Sequence, residues 1–199
     1  MTDETGRLVL VTGARAAGKT AVAHALARYL PRAVHLDGEV LAGFVVTGSA
    51  PAVLPLSRDA LEQVYLRWSA AIAVAETYQR AGFDVVVSDS VVGDLFADFV
   101  DFVSPEPLHV VMLAPTLATL RAREQARGRR DGHDPRGARD QRDPADSATF
   151  ETLAASVAQT PRVGLWLDTS GMSLEVTVAQ ILGRLGEARI DTTEPLASA

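Results

Sequence analysis

Residues 8–20, LVLVTGARAAGKT, contain the pattern that decides the fold. The first four are wholly apolar, which is typical of a strand buried on both faces of a parallel sheet. Small residues follow from Gly13, and residues 20–29 carry apolar side chains at helical spacing. A buried strand, a glycine-rich turn and a helix in this order predict the first unit of an α/β fold.

Residues 13–20 match the phosphate-binding motif G-x-x-x-x-G-K-[ST] at every fixed position, in the strand–helix context that the motif requires. The glycines let backbone N–H groups turn toward phosphate oxygens, and the start of the helix adds its positive dipole end. We predict that Lys19 reaches the β- and γ-phosphates of a nucleotide and that the Thr20 hydroxyl ligates Mg²⁺. The predicted nucleotide-binding residues of this loop are Gly13, Ala14, Arg15, Ala16, Ala17, Gly18, Lys19 and Thr20.

Lys19 is the only lysine in a chain that contains 18 arginines. Arginine has replaced lysine wherever the two are interchangeable, so this position requires a lysine. The planar fork of an arginine is too wide for a nest of backbone N–H groups, whereas an ammonium acts there as a compact charge. The lysine therefore favours a phosphate-binding loop over a chance glycine-rich turn.

Apolar runs and helical patterns continue to alternate along the chain. The later predicted strands cover residues 33–36, 84–88, 108–113 and 164–167. The later predicted helices cover residues 57–80, 116–127, 146–158 and 173–186, while residues 40–56 are expected to form an irregular or short-helix segment. This alternation predicts a single three-layer α/β/α domain over residues 1–186, with a five-stranded parallel sheet. Residues 187–199 lack apolar periodicity and are expected to form a mobile tail.

The composition excludes several classes of protein. The chain has no cysteine, so disulfides, cysteine metal sites and a thiol nucleophile are excluded, and its four histidines lack zinc-ligand spacing. A net charge of −6 disfavours a nucleic-acid partner. No apolar stretch is long enough for a signal peptide or a membrane span, so we expect a soluble cytoplasmic protein without a membrane partner.

Aspartates follow three of the predicted strands, at the edge of the sheet where ligands bind in such folds. Asp37 could take the proton from an attacking hydroxyl, or it could cap the following segment, and Glu39 is the alternative acid. Asp89 is the predicted second Mg²⁺ ligand beside Thr20, although an ordinary polar role at a strand end fits the sequence equally well. Asp168 ends the fifth strand.

Residues 121–142 hold eight arginines and four acids, a net charge of +4. Such a run can be merely a solvated face. Because helices flank it in a chain predicted to bind a polyphosphate, we interpret residues 124–145 as an arginine-rich lid that closes over the transferring phosphoryl group. Arg123 and Arg127 lie four residues apart, so both project from one face of the predicted helix.

These motifs resemble those of the small P-loop kinases over about residues 7–186. The resemblance rests on GARAAGKT at 13–20, LDGE at 36–39, REQARGRR at 123–130 and LDTS at 167–170. LDGE is similar to the LDGD of adenylylsulfate and gluconate kinases. REQARGRR resembles the lid entrance of the chloramphenicol phosphotransferase-like proteins. The sequence departs from shikimate and adenylylsulfate kinases after strands three and two, so neither of those substrates is implied.

The resemblance implies that the chain transfers the γ-phosphate of ATP, with Mg²⁺, to a hydroxyl of a small molecule. It implies that Asp37 is the general base and that Arg123 and Arg127 contact the nucleotide or the transferred phosphate. The segment after Asp168 and Thr169 would lie against adenine.

The acceptor is expected to bind at residues 38–80, where Arg58 and Arg67 are the only basic residues apart from Arg80 at the very end. The apolar richness of this region suits a weakly charged, partly hydrophobic acceptor such as an antibiotic or a secondary metabolite. A nucleoside or nucleotide kinase is the nearest alternative. A nucleotide-binding switch or ATPase without an acceptor is the other, and the lid arginines count against it because a switch needs partner-dependent loops.

Overall fold

The structure, a computed structural model, describes residues 6–103, 107–131 and 144–193. Its strands are β1 (Leu8–Gly13), β2 (Ala33–Asp37), β3 (Asp84–Ser88), β4 (Leu108–Leu113), β5 (Leu165–Leu167) and β6 (Arg189–Ile190). Its helices are α1 (Lys19–Tyr29), α2 (Gly38–Ala42), α3 (Arg58–Arg80), α4 (Leu95–Val103), α5 (Leu117–Asp131), α6 (Pro144–Gln159) and α7 (Leu174–Gly183), and a 3-10 helix covers Leu185–Ala188.

The sheet has the strand order β2-β3-β1-β4-β5, and each neighbouring pair in this series is parallel. The phosphate-binding loop leaves the central strand β1, with β3 on one side and β4 on the other. The carboxyl ends of β2 and β3 therefore meet beside that loop, where Asp37 is in register with Ser88. The predicted five-stranded parallel sheet is confirmed, and β6 adds an antiparallel pairing with β4.

Alternate residues of β1 pack into two separate cores, one on each face of the sheet. Val9 and Val11 lie in the core that contains Leu26 of α1 and Ile181 of α7. Their neighbours Leu8 and Leu10 lie in the core that contains Trp68 of α3 and Phe99 of α4. This period of two is what a strand buried on both faces requires. The predicted three-layer α/β/α architecture is confirmed.

Two predicted helix starts are confirmed by side-chain caps. The Ser57 hydroxyl accepts a hydrogen bond from the Ala60 N–H at 3.2 Å, and the Ser173 hydroxyl accepts one from Val176 N–H at 3.3 Å. Each cap satisfies a backbone donor that the first turn leaves without a helical partner.

Helix α4 was not among the helices predicted from the sequence. Its buried residues Phe96, Phe99, Val100 and Val103 recur at helical spacing, so the signal was present in the sequence. The expected mobile tail also needs correction for its first residues. Ile190 is buried and pairs with Leu108, because β5 is too short to cover the start of β4. Residues 194–199 of that expected tail lie outside the described residues.

Candidate active site

The phosphate-binding loop turns sharply where β1 ends. Gly13 has φ = +144°, and a Cβ there would lie 2.4 Å from the carbonyl oxygen of Leu113 on β4. Only glycine accepts both the conformation and the close approach. The loop then reaches α1 with Ala16 also in the left-handed region, at φ = +65°. The sequence folds here as the motif requires, with the backbone curled at the start of a helix.

Lys19 folds back over this loop, where its Nζ donates a hydrogen bond to the carbonyl oxygen of Ala14 at 3.1 Å. Burial lowers the pKa of Lys19, while the nearby carboxylates of Asp89, Glu39 and Asp37 act in the opposite direction. The ammonium therefore lies between the loop and the carboxyl ends of β2 and β3. A phosphate group bound by the loop would replace the carbonyl as the partner of this charge.

Thr20 is the one predicted magnesium ligand whose position fits that role. Its side chain is exposed in the first turn of α1, next to Lys19. Within the described residues, no group of three or more His, Cys, Asp or Glu side chains could hold a metal ion by itself. A hydroxyl at this place suits an ion that takes its other ligands from phosphate oxygens and water.

Asp89 does not fit the predicted role of a direct magnesium ligand. One carboxylate oxygen accepts hydrogen bonds from Arg67 Nε at 3.0 Å and Trp68 Nε1 at 3.3 Å. The other accepts from Arg67 Nη2 at 3.3 Å and the Ser90 N–H at 2.7 Å. A carboxylate accepts about four hydrogen bonds, so all its acceptor sites are in use.

Gly38 explains how β2 approaches this carboxylate so closely. A Cβ at Gly38 would lie 2.5 Å from Cγ of Asp89, a separation that side chains do not tolerate. The glycine of the LDGE motif is thus needed for packing between the ends of β2 and β3. It places Asp37, its neighbour, beside the ionic network of Asp89 and Lys19.

Asp37 takes the capping role that the sequence left open. Its Oδ1 accepts a hydrogen bond from the Glu39 N–H at 2.8 Å, at the start of α2. Its Oδ2 accepts no hydrogen bond from the described residues. The cap therefore orients the carboxylate and leaves one oxygen available, so capping and proton transfer are compatible at this residue. Glu39 differs, because its exposed carboxylate pairs with Arg127 at 3.7 Å.

Arg123 connects the phosphate-binding loop to the segment after β5. Its Nη1 donates to the carbonyl oxygen of Ala17 at 3.0 Å, and its Nη2 donates to the carbonyl oxygen of Thr169 at 2.8 Å. The guanidinium fills the gap between these two segments. This position fits a nucleotide contact better than a place on the transferred phosphate.

Arg127 lies one turn further along α5 and reaches the opposite side of the site. Besides pairing with Glu39, its charge contributes to lowering the pKa of Lys19, after the dominant effect of burial on that lysine. Arg123 and Arg127 thus lie on the two sides of the loop. The remaining predicted lid arginines, Arg129, Arg130, Arg136, Arg139 and Arg142, lie outside the residues whose side chains the structure describes.

The segment after β5 is held by local hydrogen bonds. Asp168 Oδ1 accepts from the Ser170 N–H at 2.9 Å, and the Ser170 hydroxyl accepts from Thr116 N–H at 2.8 Å. Hydrogen bonds from Ser170 lower the pKa of the exposed Asp168 carboxyl. Thr169 is buried, and both its backbone carbonyl at 2.8 Å and its hydroxyl at 3.5 Å accept hydrogen bonds from Arg123, which links them to the loop.

Two cavities adjoin the carboxyl end of β2. The first, of about 410 Å³, is lined by Thr20, His24, His35, Leu36, Asp37, Val40, Leu41 and Phe44. The second, of about 310 Å³, lies between α2, residues 43–57 and α3. Leu41 and Phe44 line both cavities. The first cavity therefore includes Thr20 of the phosphate-binding loop, while the second adjoins the first at Leu41 and Phe44 and falls within the predicted acceptor region of residues 38–80.

Two polar residues of the site escaped the sequence analysis. Arg67 was noted only as one of the few basic residues in the acceptor region, and its pairing with Asp89 depends on contact between α3 and the end of β3. His35 Nε2 shares a hydrogen bond with the Ser88 hydroxyl at 2.9 Å, diagonally across the paired strands β2 and β3, since Ser88 is in register with Asp37. The strand pairing that joins them is not visible in a linear sequence.

Comparisons with known proteins agree with this geometry. The AAA domain family matches residues 8–159, which is most of the chain. The chain belongs to this family. No curated protein is similar enough in sequence to count as a match. Among the described residues, no helix is both long enough and apolar enough to cross a membrane.

Several solved structures share the fold. A sugar kinase from Janibacter sp. HTCC2649 has 18% identity and a TM-score of 0.62, covering 92% of this chain and 96% of its own. The APS kinase CysC of Mycobacterium tuberculosis, in complex with AMPPNP and APS, has 17% identity and a TM-score of 0.63, covering 92% and 98%. The tunicamycin resistance protein of Deinococcus radiodurans has 18% identity and a TM-score of 0.62, covering 92% and 98%. The predicted P-loop kinase fold is confirmed.

Proposed function

We propose that this protein is a kinase that transfers the γ-phosphate of ATP to a hydroxyl group of a small molecule. The observation that carries the proposal is the placement of three features at one edge of the sheet. These are the phosphate-binding loop with Lys19, the available oxygen of Asp37, and a cavity that Leu41 and Phe44 connect to them. A switch or simple ATPase needs no such cavity beside its catalytic carboxylate.

The chemistry assigned to the residues is in-line phosphoryl transfer. The N–H groups of the loop and Lys19 bind the β- and γ-phosphates and neutralise part of their charge. The Oδ2 atom of Asp37 accepts the proton of the acceptor hydroxyl, whose oxygen forms a bond to the γ-phosphorus. The bond from that phosphorus to the β–γ bridging oxygen breaks and ADP leaves. Glu39 is the weaker candidate for the base, because Arg127 already pairs with it.

Two arginines support the nucleotide in this proposal. Arg123, between Ala17 and Thr169, contacts the nucleoside part of ATP at the edge where the segment after β5 lies. Arg127 neutralises charge on the transferred phosphoryl group from the side of β2, where it lies near Lys19. Mg²⁺, held by the Thr20 hydroxyl and by phosphate oxygens, supplies further charge neutralisation when it is bound.

The structural neighbours support a small-molecule acceptor without naming it. One is named a sugar kinase, one is an APS kinase solved with AMPPNP and APS, and one is a tunicamycin resistance protein. We propose an antibiotic or a secondary metabolite as the acceptor here, because the second cavity, which shares Leu41 and Phe44 with the cavity that Asp37 lines, is itself lined mainly by apolar side chains.

The proposal is tested by measuring ADP release and product mass with ATP, Mg²⁺ and a library of hydroxylated antibiotics and metabolites. Candidates are first selected by thermal shift in the presence of a non-hydrolysable ATP analogue, since a bound ligand raises stability by mass action. A phosphorylated product that wild-type protein forms and Lys19→Ala does not form supports the proposal. ATP binding without transfer to any hydroxyl, together with acceptor-independent hydrolysis, would contradict it.

A further inference from the structure

Exposed apolar side chains are concentrated around the second cavity. Of the 13 large hydrophobic residues that are exposed in the described part of the chain, six lie within residues 40–66. They are Val40, Phe44, Val45, Val46, Val53 and Leu66. Phe44, Val45 and Leu66 line the cavity itself. Concentrated exposure of this kind marks a surface that binds an apolar partner.

The three polar residues of this cavity offer no uncompensated charge. Arg67, the only charged one, has two of its nitrogens on the carboxylate of Asp89, and both side chains are largely buried. The Gln63 amide is occupied at both ends, since its Oε1 accepts from Ala50 N–H at 3.0 Å and its Nε2 donates to the Gly48 carbonyl at 2.8 Å. Ser49, the third, contributes a neutral hydroxyl.

Charge cancellation in such a cavity selects against ionised ligands. An anionic group that enters it loses water and finds a guanidinium already paired with a carboxylate. An uncharged apolar group gives up little favourable hydration and gains contact with the aliphatic and aromatic walls. The Gln63 bridge also holds residues 48–50 against α3, so the wall is formed before any ligand arrives.

We propose that the acceptor is an uncharged alcohol carried on an apolar body, and that the Arg67–Asp89 pair excludes anionic acceptors by cancelling the charge of the cavity. This inference rests on the proposed kinase function and specifies its substrate class. The occupant is a small molecule rather than a second protein, because Leu41 and Phe44 join this cavity to the one that contains Asp37 and Thr20. The cavity volume of about 310 Å³ lies at the small end of ligand sites.

A matched pair of alcohols tests the charge rule directly. The probes are 2-(4-isopropylphenyl)ethanol and 4-(2-hydroxyethyl)benzoate, which are similar in size and branching and differ in an isopropyl group against a carboxylate. Binding is measured calorimetrically at millimolar probe concentration with ADP present, and ATP-dependent phosphorylation is measured by mass spectrometry. We expect the neutral alcohol to bind at least about tenfold more tightly, because the carboxylate has no free cation to meet.

Two variants link that preference to named residues. Asp89→Asn removes the negative charge that pairs with Arg67. The affinity for the benzoate relative to that for the neutral alcohol should therefore rise, whatever happens to the rate of phosphorylation. Phe44→Ser should weaken the neutral alcohol, since Phe44 is 70% exposed and its loss removes only wall surface. Tyr29→Ser removes a similarly exposed aromatic side chain from α1, outside this cavity, and should change neither affinity.

Three results would overturn the inference while leaving nucleotide binding intact. They are equal or tighter binding of the benzoate, no detectable binding of the neutral alcohol, and a stable dimer that covers the surface and becomes monomeric on Phe44→Ser. Failure of the kinase proposal itself would have different signs. ATP binding would not depend on Lys19, or no phosphate would be transferred to any hydroxyl.

Discussion

The phosphate-binding side and the acceptor side of the site are formed by different chemical groups. The loop around Lys19 uses backbone groups, a glycine that no other residue can replace, and three carboxylates that surround one ammonium. The cavity behind Phe44 uses apolar walls and an ionic pair that cancels its own charge. In the proposed function, the first side binds the phosphates common to all nucleotides. The second binds the acceptor, so a change of acceptor would not require a change in the loop.

Removing the ammonium of Lys19 should have the largest effect on the phosphate side. Lys19→Ala and Lys19→Arg should both abolish transfer, because a planar guanidinium does not fit the nest that a compact ammonium occupies. Circular dichroism and thermal unfolding would show whether the fold survives. Normal turnover by a folded Lys19→Arg protein would contradict the geometric role given to this residue.

Asp37 lies where the two sides meet, so its substitution tests the chemistry rather than either binding site. Asp37→Asn should lower the rate of transfer by about 10²–10⁴, the usual contribution of a positioned acid or base. ATP affinity should be retained, since an asparagine still caps α2. Glu39→Gln is the matched control in steady-state kinetics. If Glu39→Gln rather than Asp37→Asn loses most of the transfer rate, Glu39 and not Asp37 is the proton acceptor.

Arg127 should affect turnover more than nucleotide binding. Arg127→Ala removes a cation near Lys19, and we expect a loss of about 10²–10³ in kcat, as for other donors that act on transition-state charge. Arg121→Ala is the control on the same helix, because Arg121 is exposed and pairs with the exposed Glu151 of α6. Its effect on kcat should be within about threefold, since exposed pairs contribute little. Equal small losses of kcat in Arg127→Ala and Arg121→Ala would indicate that the arginines of this segment form only a solvated basic surface.

The smallest expected effect is a pH dependence of stability on the acceptor side. Burial lowers the pKa of His35 from the usual 6.5, so the unfolded chain takes up a proton at a higher pH than the folded protein does. The free energy of unfolding should therefore fall as the pH decreases from neutral through 6.5. His109, whose pKa burial also lowers, contributes to the same slope.

Denaturant titrations at several pH values check this prediction. His35→Gln should flatten part of the slope, while His24→Gln, on the exposed face of α1, should leave most of it. An unchanged slope in His35→Gln would show that this histidine does not carry the effect.

The fold and the phosphate side were largely predictable from sequence because each depends on local patterns. Buried strands are continuous apolar runs, and the loop is a motif whose glycines and lysine are adjacent in the chain. The acceptor side was predictable only as a region. The saturation of Asp89 by Arg67 and Trp68 joins α3 to β3, and the Gln63 bridge joins α3 to residues 48–50. Such contacts follow from tertiary packing, which spacing along the chain does not encode.

The missed elements have equally specific reasons. Helix α4 had a clear apolar period, and Asp94, a residue type favoured at N-caps, directly precedes its first residue, so its omission was a failure to use local signals, whereas β6 has only two residues. Strand β6 forms because β4 has an unpaired edge beyond the short β5. A two-residue strand has no sequence periodicity of its own, so it can be recognised only from its pairing with another strand.

The central claim is that the loop around Lys19 and the cavity behind Phe44 belong to one phosphotransferase site. The most direct test incubates the protein with an isotopically labelled γ-phosphate in ATP and a mixture of neutral apolar alcohols, followed by mass spectrometry. We predict a labelled phosphate monoester of one alcohol, formed by wild-type protein, reduced by Asp37→Asn and Phe44→Ser, and absent with Lys19→Ala. Label found only in inorganic phosphate, at a rate that the alcohols do not change, would contradict the claim.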